Sequence, residues 1–315
     1  MATNPGKYAA AGSALEALEG VDVHYNVPLA KRVSMKVGGP AEILVAPMTL
    51  EGAASVWRVV KELGVPVTVL GGGTNVVIAD AGIAGVVLDL EPGFGYLREH
   101  TLPDGSFRWE VGAGVGTGRV VNLALNRGLQ GPEVLAGVPG TMGGALIMNA
   151  GGHEGEICSV VERVLVVDEG ESRWLSREEA GFSYRASAFP RGAFILGCEL
   201  LLHKGEQAAL NGQVKEAHRR RRVTHPQQFP NAGSIFKNPP GDYAGRLIEK
   251  ADCKGLQEGM AQVSELHANF IINLGGASAS DILRLARSVQ ARVLERTQVE
   301  LEFEVKFLGQ WGEEP

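Results

Sequence analysis

Three cysteines in 315 residues, Cys158, Cys198 and Cys253, are too few and too scattered for a disulfide framework or a thiolate metal cluster, which fits a reducing cytoplasm and leaves no metal site to expect. Positive charge is also in deficit. Thirty Lys and Arg against 36 Asp and Glu leave a net charge of −6, so a broad surface for nucleic acid or anionic membrane is excluded and any anionic ligand must be met locally. Long apolar runs are scarce. The 19 residues from Val134 to Gly152 carry no charge, but their glycines, Pro139 and Asn149 suit a buried, backbone-rich loop better than a lipid-spanning helix. Met1 to Gly20 lacks the apolar stretch of an export signal. Two nucleotide fingerprints, G-x-G-x-x-G and G-x-x-x-x-G-K-[ST], are absent, and so is the nucleophile elbow G-x-S-x-G. Rossmann, P-loop and serine-hydrolase readings lose their support together.

What is present is glycine, unevenly placed. Of 43 glycines, 21 fall between Gly71 and Gly155, and 44% hydrophobic residues over this length allow two or three packed domains. Thr49 is placed to cap a helix through Leu63, with Val56, Val59, Val60 and Leu63 on one side and Gly64 at its stop. Strands are expected at 65–70, 86–90 and 108–111, a helix at 118–127, and a hairpin from 160–167 and 172–175 around Glu169-Gly170. Near residue 205 the texture turns helical and charged, which marks a candidate domain boundary. A later helix capped by Ser280 carries Ile282, Leu285, Ala286, Val289 and Val293 at helical spacing. The last element alternates, with Val299, Leu301, Phe303, Val305 and Phe307 on one face and Glu300, Glu302, Glu304 and Lys306 on the other, as a half-buried strand does.

Two glycine segments can offer backbone amides to phosphate oxygens because no Cβ blocks the approach: Gly71-Gly72-Gly73-Thr74-Asn75 after a strand, and 137–145. A dinucleotide with a pyrophosphate is the natural occupant; tight hairpins are the alternative use of the same glycines. Elsewhere Ser234 follows Gly233 in the turn-rich 229–239 segment, where its hydroxyl can present a proton, while 182–187 supplies Arg185 and 301–306 supplies Glu304. Serine, arginine and glutamate suit acid catalysis at a stabilised carbanion.

Taken together, Leu70 to Val76, Gly137 to Ala145 with Asn149-Ala150-Gly151, Tyr184-Arg185, Asn231 to Pro239 and Glu304 to Gly309 resemble the UDP-N-acetylenolpyruvoylglucosamine reductases, also called UDP-N-acetylmuramate dehydrogenases. The resemblance runs in order from about Val33 to Gly309, and the short 238–256 stretch is similar to the compact form of the family. It implies an α+β architecture: an FAD-binding domain of the vanillyl-alcohol-oxidase type over 20–206, in two subdomains at about 20–85 and 86–206, then an α/β substrate-binding domain over 207–303, with 304–315 returning toward the FAD domain. It also implies non-covalent FAD, since the 71–75 loop has no histidine, with NADPH as hydride donor and an enolpyruvyl ether of a UDP-sugar as substrate.

The same resemblance assigns roles. The flavin is expected at Gly71, Gly72, Gly73, Thr74, Asn75, Val138, Pro139, Gly140, Thr141, Gly143, Gly144, Asn149 and Gly151. Ser234 is the expected proton donor, Arg185 the clamp for the substrate carboxylate and developing enolate, and Glu304 the second acid–base group. Tyr184, Arg222, Asn238 and His267 are the expected substrate contacts, with the other arginines of 219–222 solvated. Gly152-His153-Glu154-Gly155 departs from the family pattern, which leaves flavin contacts there open. Another FAD oxidoreductase of the same fold would keep the glycine loops without needing Ser234, Arg185 and Glu304, and a non-catalytic flavin module would need none of the three.

Overall fold

The computed structural model describes residues 8–152 and 154–312, so His153, at the family departure, lies outside the described residues. Two compact units divide the chain: one takes residues up to 26 with 42–72 and 85–219, the other takes 27–41, 73–84 and 220 onward.

The first unit holds a sheet in the order 21–28, 40–47, 83–89, 67–70, the last two strands parallel with Val67 opposite Val86. Helix Leu50–Glu62 packs here because Ala53, Val56 and Val60 repeat on one face. Its cap is as expected, the Thr49 hydroxyl accepting the Gly52 N–H at 3.0 Å. Leu63 is not on the buried side: it sits one position past the last helical residue and is exposed. A second, antiparallel sheet runs 171–176, 161–168, 194–204, 107–112, 97–101. Its hairpin turns at Glu169 and Gly170, both at positive φ, as a two-residue loop matched to strand twist requires. Within strand Val161–Asp168 the stretch Val164–Val167 is buried on both faces. Val164 and Val166 join a core with Trp109 and Leu146, while Leu165 and Val167 join one with Val56, Val60 and Leu88, which is why these four residues form an apolar run rather than an alternating one.

The uncharged 134–152 run breaks up as its glycines demand, into the end of a 3-10 turn at Pro132–Leu135, the six-residue helix Met142–Ile147 and the two-residue strand Gly151–Gly152. Among the described residues no helix is long and apolar enough to cross a membrane.

The second unit is a four-stranded sheet, 231–234, 270–273, 261–263, 257–258, covered by helix Ala279–Thr297 through Ile282, Leu285, Ala286, Val289 and Val293. Its cap is Ser278, not Ser280. Ser278 and Asp281 form the reciprocal capping box, and Ser280, already in the first turn, hydrogen-bonds Asp80 instead. The C-terminal segment keeps the expected burial at Leu301 and Val305 but not the expected long strand. Only a bridge at Phe303 and the strand Lys306–Leu308, parallel to Val76–Ile78, are paired. The change of texture at 205 also precedes the change of packing: Val214 of helix Gln207–Thr224 is buried in the first unit's core, and the Gln207 amide donates to the Leu125 carbonyl at 2.8 Å.

Candidate active site

In the first unit the two glycine loops touch. A Cβ on Gly71 would lie 2.6 Å from the Thr141 hydroxyl, and one on Gly72 would lie 2.8 Å from Gly140 Cα, so any larger residue would force the loops apart. The second loop is itself braced by a residue the sequence did not single out. Buried Thr117 donates its hydroxyl to the Val138 carbonyl at 2.6 Å, and its N–H donates to the Gly140 carbonyl at 3.0 Å. Gly143 packs on Ala113, its N–H donating to the Ala113 carbonyl at 2.9 Å. Pro139 and Gly144 remain exposed. The result is a rigid rim of bare backbone. Such a rim fits a pyrophosphate-bearing cofactor, since glycine lets the two loops close on each other and leaves exposed main chain, as at Gly144 where an added Cβ would meet nothing nearer than 3.9 Å, for phosphate oxygens to approach.

Asn149, an expected flavin contact, is tied into the protein through its side chain. It is buried, and its amide donates to Glu156 Oε2 at 2.7 Å and to the Ser183 carbonyl at 3.1 Å, while its oxygen accepts the Cys158 N–H. Its side chain is thus spent on the protein, and its work is to hold the next loop. Ser183 and Ala186 exchange backbone hydrogen bonds, and Ser187 donates to the Ile147 carbonyl at 2.8 Å. Tyr184 and Arg185 sit at the tip of that loop, anchored beside the end of helix Met142–Ile147. Arg185 has φ of 54°, a left-handed conformation costing about 1–3 kcal/mol for a non-glycine residue and held here by the bonds on either side. Its guanidinium lies 5.3 Å from the centre of the exposed Tyr184 ring. Gly151 pairs with Glu156 of the neighbouring strand Gly155–Glu156.

In the second unit, Gly73, Thr74 and Asn75 continue the first glycine loop. The Gly73 carbonyl accepts the Ser34 N–H at 2.9 Å, and the Ser34 hydroxyl donates to the Asn231 carbonyl at 2.6 Å. Asn75 donates its amide to the Glu304 carbonyl at 3.2 Å and accepts the Lys306 N–H at 3.0 Å. Ser234 lies at an irregularity in its strand. Asn231 faces Ile272 and Ser234 faces Phe270, so three steps on one side oppose two on the other; Gly233 absorbs the extra residue at φ 78°, its N–H bonded to Asn231 Oδ1. A bulge of this kind turns the following side chain to a new direction. Immediately after it the Ile235 carbonyl accepts the Glu304 N–H at 2.8 Å, and Phe236 stacks on Phe303 at 5.1 Å. Ser234, Glu304 and Asn75 are thereby gathered within one unit from three distant stretches of chain.

The remaining expected contacts scatter. Arg222 is exposed near the helix end, whereas Arg221, expected to be solvated, is half-buried, and burial lowers its pKa. Asn238 uses its oxygen to accept the Ala244 N–H at the start of helix Ala244–Lys250. His267 packs with His225 and Phe270, ring centres 4.8 to 5.7 Å apart, and its Nδ1 accepts the Asn269 N–H. Burial pushes His225 down to about 4, helped by the nearby Arg221 charge and His267, and burial likewise lowers His267. Both rings are neutral at physiological pH. The sequence had also hidden Asn269, a buried amide with partners on three sides; a polar residue interrupting the otherwise apolar stretch 268–272 was the available signal.

A glycine-lined rim of backbone in an α+β unit, joined in one chain to a second unit, fits the class of FAD-dependent oxidoreductases with a two-subdomain FAD-binding domain. Comparison agrees: residues 41–176 match the family of FAD binding domains, and residues 225–308 match the C-terminal domain of UDP-N-acetylenolpyruvoylglucosamine reductase. The curated UDP-N-acetylenolpyruvoylglucosamine reductase of Myxococcus xanthus is 42% identical over 94% of this chain and 95% of its own. That of Bacillus velezensis is 39% identical over 90% and 92%. The crystal structure of the Thermus caldophilus reductase superposes with a TM-score of 0.77 at 35% identity, covering 91% of this chain and 98% of that one. The chain belongs to the UDP-N-acetylenolpyruvoylglucosamine reductase family.

Proposed function

We propose that this enzyme reduces the enolpyruvyl ether of UDP-N-acetylglucosamine to UDP-N-acetylmuramate, with NADPH as the source of reducing equivalents, in the cytoplasmic stage of bacterial peptidoglycan synthesis. Both the sugar nucleotide and NADPH are small-molecule partners; protein partners are not required by the chemistry. Gly71, Gly72, Val138, Gly140, Thr141 and Gly143 would hold the FAD pyrophosphate through backbone, with Gly73, Thr74 and Asn75 continuing that loop. When bound, the FAD supplies two-electron chemistry, taking a hydride equivalent from the nicotinamide and passing one to the substrate's methylene carbon.

The protein's own task is then set by the substrate. Saturating the C=C bond forms two C–H bonds, one at the methylene and one at the carbon bearing the carboxylate, and the electron pair gathered on that second carbon needs stabilising before it takes up a proton. Ser234 donates this proton from its hydroxyl. A serine is intrinsically a feeble acid, so its use here requires fixed geometry and a nearby group to settle the charge left on oxygen. Glu304 is suited to that second duty, returning a proton to Ser234 or orienting the intermediate. Arg185 offers parallel donors to the carboxylate as its carbon gains charge. Substrate contacts are assigned to Tyr184, Arg222, Asn238 and His267.

The observation that carries the proposal is the bulge at Gly233 followed at once by the Ile235–Glu304 backbone bond, which supports Ser234 and Glu304 acting as one group. Ser234→Ala tests it in stopped flow. Bleaching of the flavin by NADPH is expected to persist, while its reoxidation by the enolpyruvyl sugar nucleotide slows by about 10²–10⁴-fold, the range of a lost general acid. Equal slowing of both half-reactions would make Ser234 structural and remove the proposal's acid.

A further inference from the structure

The segment that presents Ser234 is not held by an ordinary strand ladder. The bulge breaks the ladder between Asn231 and Ser234, and the partner strand ends where the chain turns at His267 and Ala268. Beyond that point Asn269 replaces the missing strand. Its main-chain carbonyl accepts the Ile235 N–H at 2.9 Å, its side-chain Oδ1 accepts the Phe236 N–H at 3.0 Å, and its Nδ2 donates to the Phe236 carbonyl at 2.8 Å. An asparagine side chain is a peptide group on a short tether, so Asn269 mimics two rungs of a sheet with one residue. On the opposite edge of the same segment the Ile235 carbonyl takes the Glu304 N–H, and the Lys237 N–H donates to the Glu302 carbonyl at 2.8 Å.

The consequence is a register. Ile235 and Phe236 are pinned from one side by Asn269 and from the other by 302–304, and no rotation or slip of the segment can satisfy both edges at once. Asn269 itself is 4% exposed and is oriented by His267, whose ring nitrogen accepts its backbone N–H at 3.2 Å. We infer that Asn269 is a positioning residue for proton donation, fixing Ser234 relative to Glu304 through their shared contact with Ile235. The inference rests on Ser234 being the proton donor; it adds the residue that makes a weak acid usable by holding it still.

Both half-reactions of the FAD-loaded enzyme separate this from a general folding role. In Asn269→Ala, bleaching by NADPH is expected within about twofold of wild type and reoxidation by UDP-N-acetylglucosamine enolpyruvate slower by about 10- to 100-fold, the effect of a displacement near 1 Å. The double variant Ser234→Ala, Asn269→Ala is expected to be no slower than Ser234→Ala alone, because residues acting through one group are not additive. Asn269→Asp keeps the volume and the Oδ1 acceptor but turns the donor into a second acceptor facing the Phe236 carbonyl; its reoxidation rate is expected to recover as the pH falls and the carboxyl gains a proton. This variant carries the test if the alanine variant does not fold. Losses that multiply in the double variant, or folded Asn269 variants with normal reoxidation, overturn the inference while leaving Ser234 in place. A Ser234→Ala enzyme with normal reoxidation removes the reading beneath it instead.

Discussion

The flavin-binding unit and the C-terminal unit use opposite parts of the residue for their work. Around Gly71, Gly72 and Gly140 the useful surface is main chain, and the sequence contributes by leaving side chains out. Around Ser234, Glu304 and Asn269 the surface that the proposed reaction uses is side chain, and the main chain at Ile235 to Lys237 is tied on both edges. A pyrophosphate is a large anion satisfied by several amides, whereas a single proton delivered to a single carbon needs one oxygen in one position. The difference teaches where each half should be fragile: the first to added bulk, the second to lost hydrogen bonds.

The most severe break expected in that comparison comes from Arg185, the side chain proposed to clamp the substrate carboxylate from within the backbone-based unit. Arg185→Lys keeps the charge but not the paired donors, so reoxidation of the flavin by substrate is expected to fall by about 10²–10³-fold with flavin content unchanged. Near-normal turnover would discredit the carboxylate clamp. Bulk is the next lever. Gly72→Val inserts atoms where Gly140 Cα lies 2.8 Å from the first added carbon, and FAD affinity is expected to weaken by about tenfold to a hundredfold, an overpacking cost of about 1–3 kcal/mol, measured by flavin fluorescence on titrating the apoprotein. Unchanged affinity would show that the loops can part freely, and the contrast with the second unit would blur.

The smallest effect sharpens the view of the C-terminal unit as hydrogen-bond-clamped. Asp80 receives the Ala279 N–H at 2.8 Å, the Ser280 N–H at 3.0 Å and the Ser280 hydroxyl at 2.7 Å, placing a carboxylate at the N-terminus of helix Ala279–Thr297. Burial works to raise its pKa, but the bonds from Ser280 and Ala279, with Arg284 nearby, outweigh burial and hold it below the usual value. A depressed folded pKa means the stabilisation is complete above the unfolded carboxyl's pKa of about 3.9 and is lost as pH falls through the folded value. Asp80→Asn is therefore expected to cost about 1 kcal/mol near pH 7 and to flatten the decline in stability below about pH 4, read from denaturant unfolding at several pH values. An equal loss at every pH would assign the effect to packing.

The sequence was most legible where a local rule has one outcome. Thr49 with Gly52, the Glu169-Gly170 turn and the apolar spacing of Ile282 to Val293 each depend on neighbours within a few residues, and each formed as expected. Ser280 failed as a cap because a better pair, Ser278 with Asp281, stood two residues earlier and satisfied both ends of the box. The alternating 299–307 segment kept its burial but found little to pair with, since alternation states which side chains are buried and not which strand lies alongside. Arg221 and Arg222 were indistinguishable as a basic run, and only the tertiary structure separates the half-buried Arg221 from the exposed Arg222.

By itself, then, the order of residues fixed helices Leu50–Glu62 and Ala279–Thr297, the hairpin at Glu169-Gly170 and the glycine loops, because these follow from dihedral preference and periodicity, whereas short helices such as Ala9–Glu16 and Ala244–Lys250 carried no signal strong enough to expect. Tertiary structure alone decided that Asn149 holds the Arg185 loop, that Asn238 serves a helix end, that Thr117 braces the second glycine loop, and that Asn269 and Glu304 both bond Ile235 beside Ser234. Each of those is a hydrogen bond between groups many residues apart. Asparagine and threonine side chains, like a main-chain N–H, carry the same donors and acceptors wherever they stand, so their partners are chosen only when the fold brings one candidate within hydrogen-bond distance.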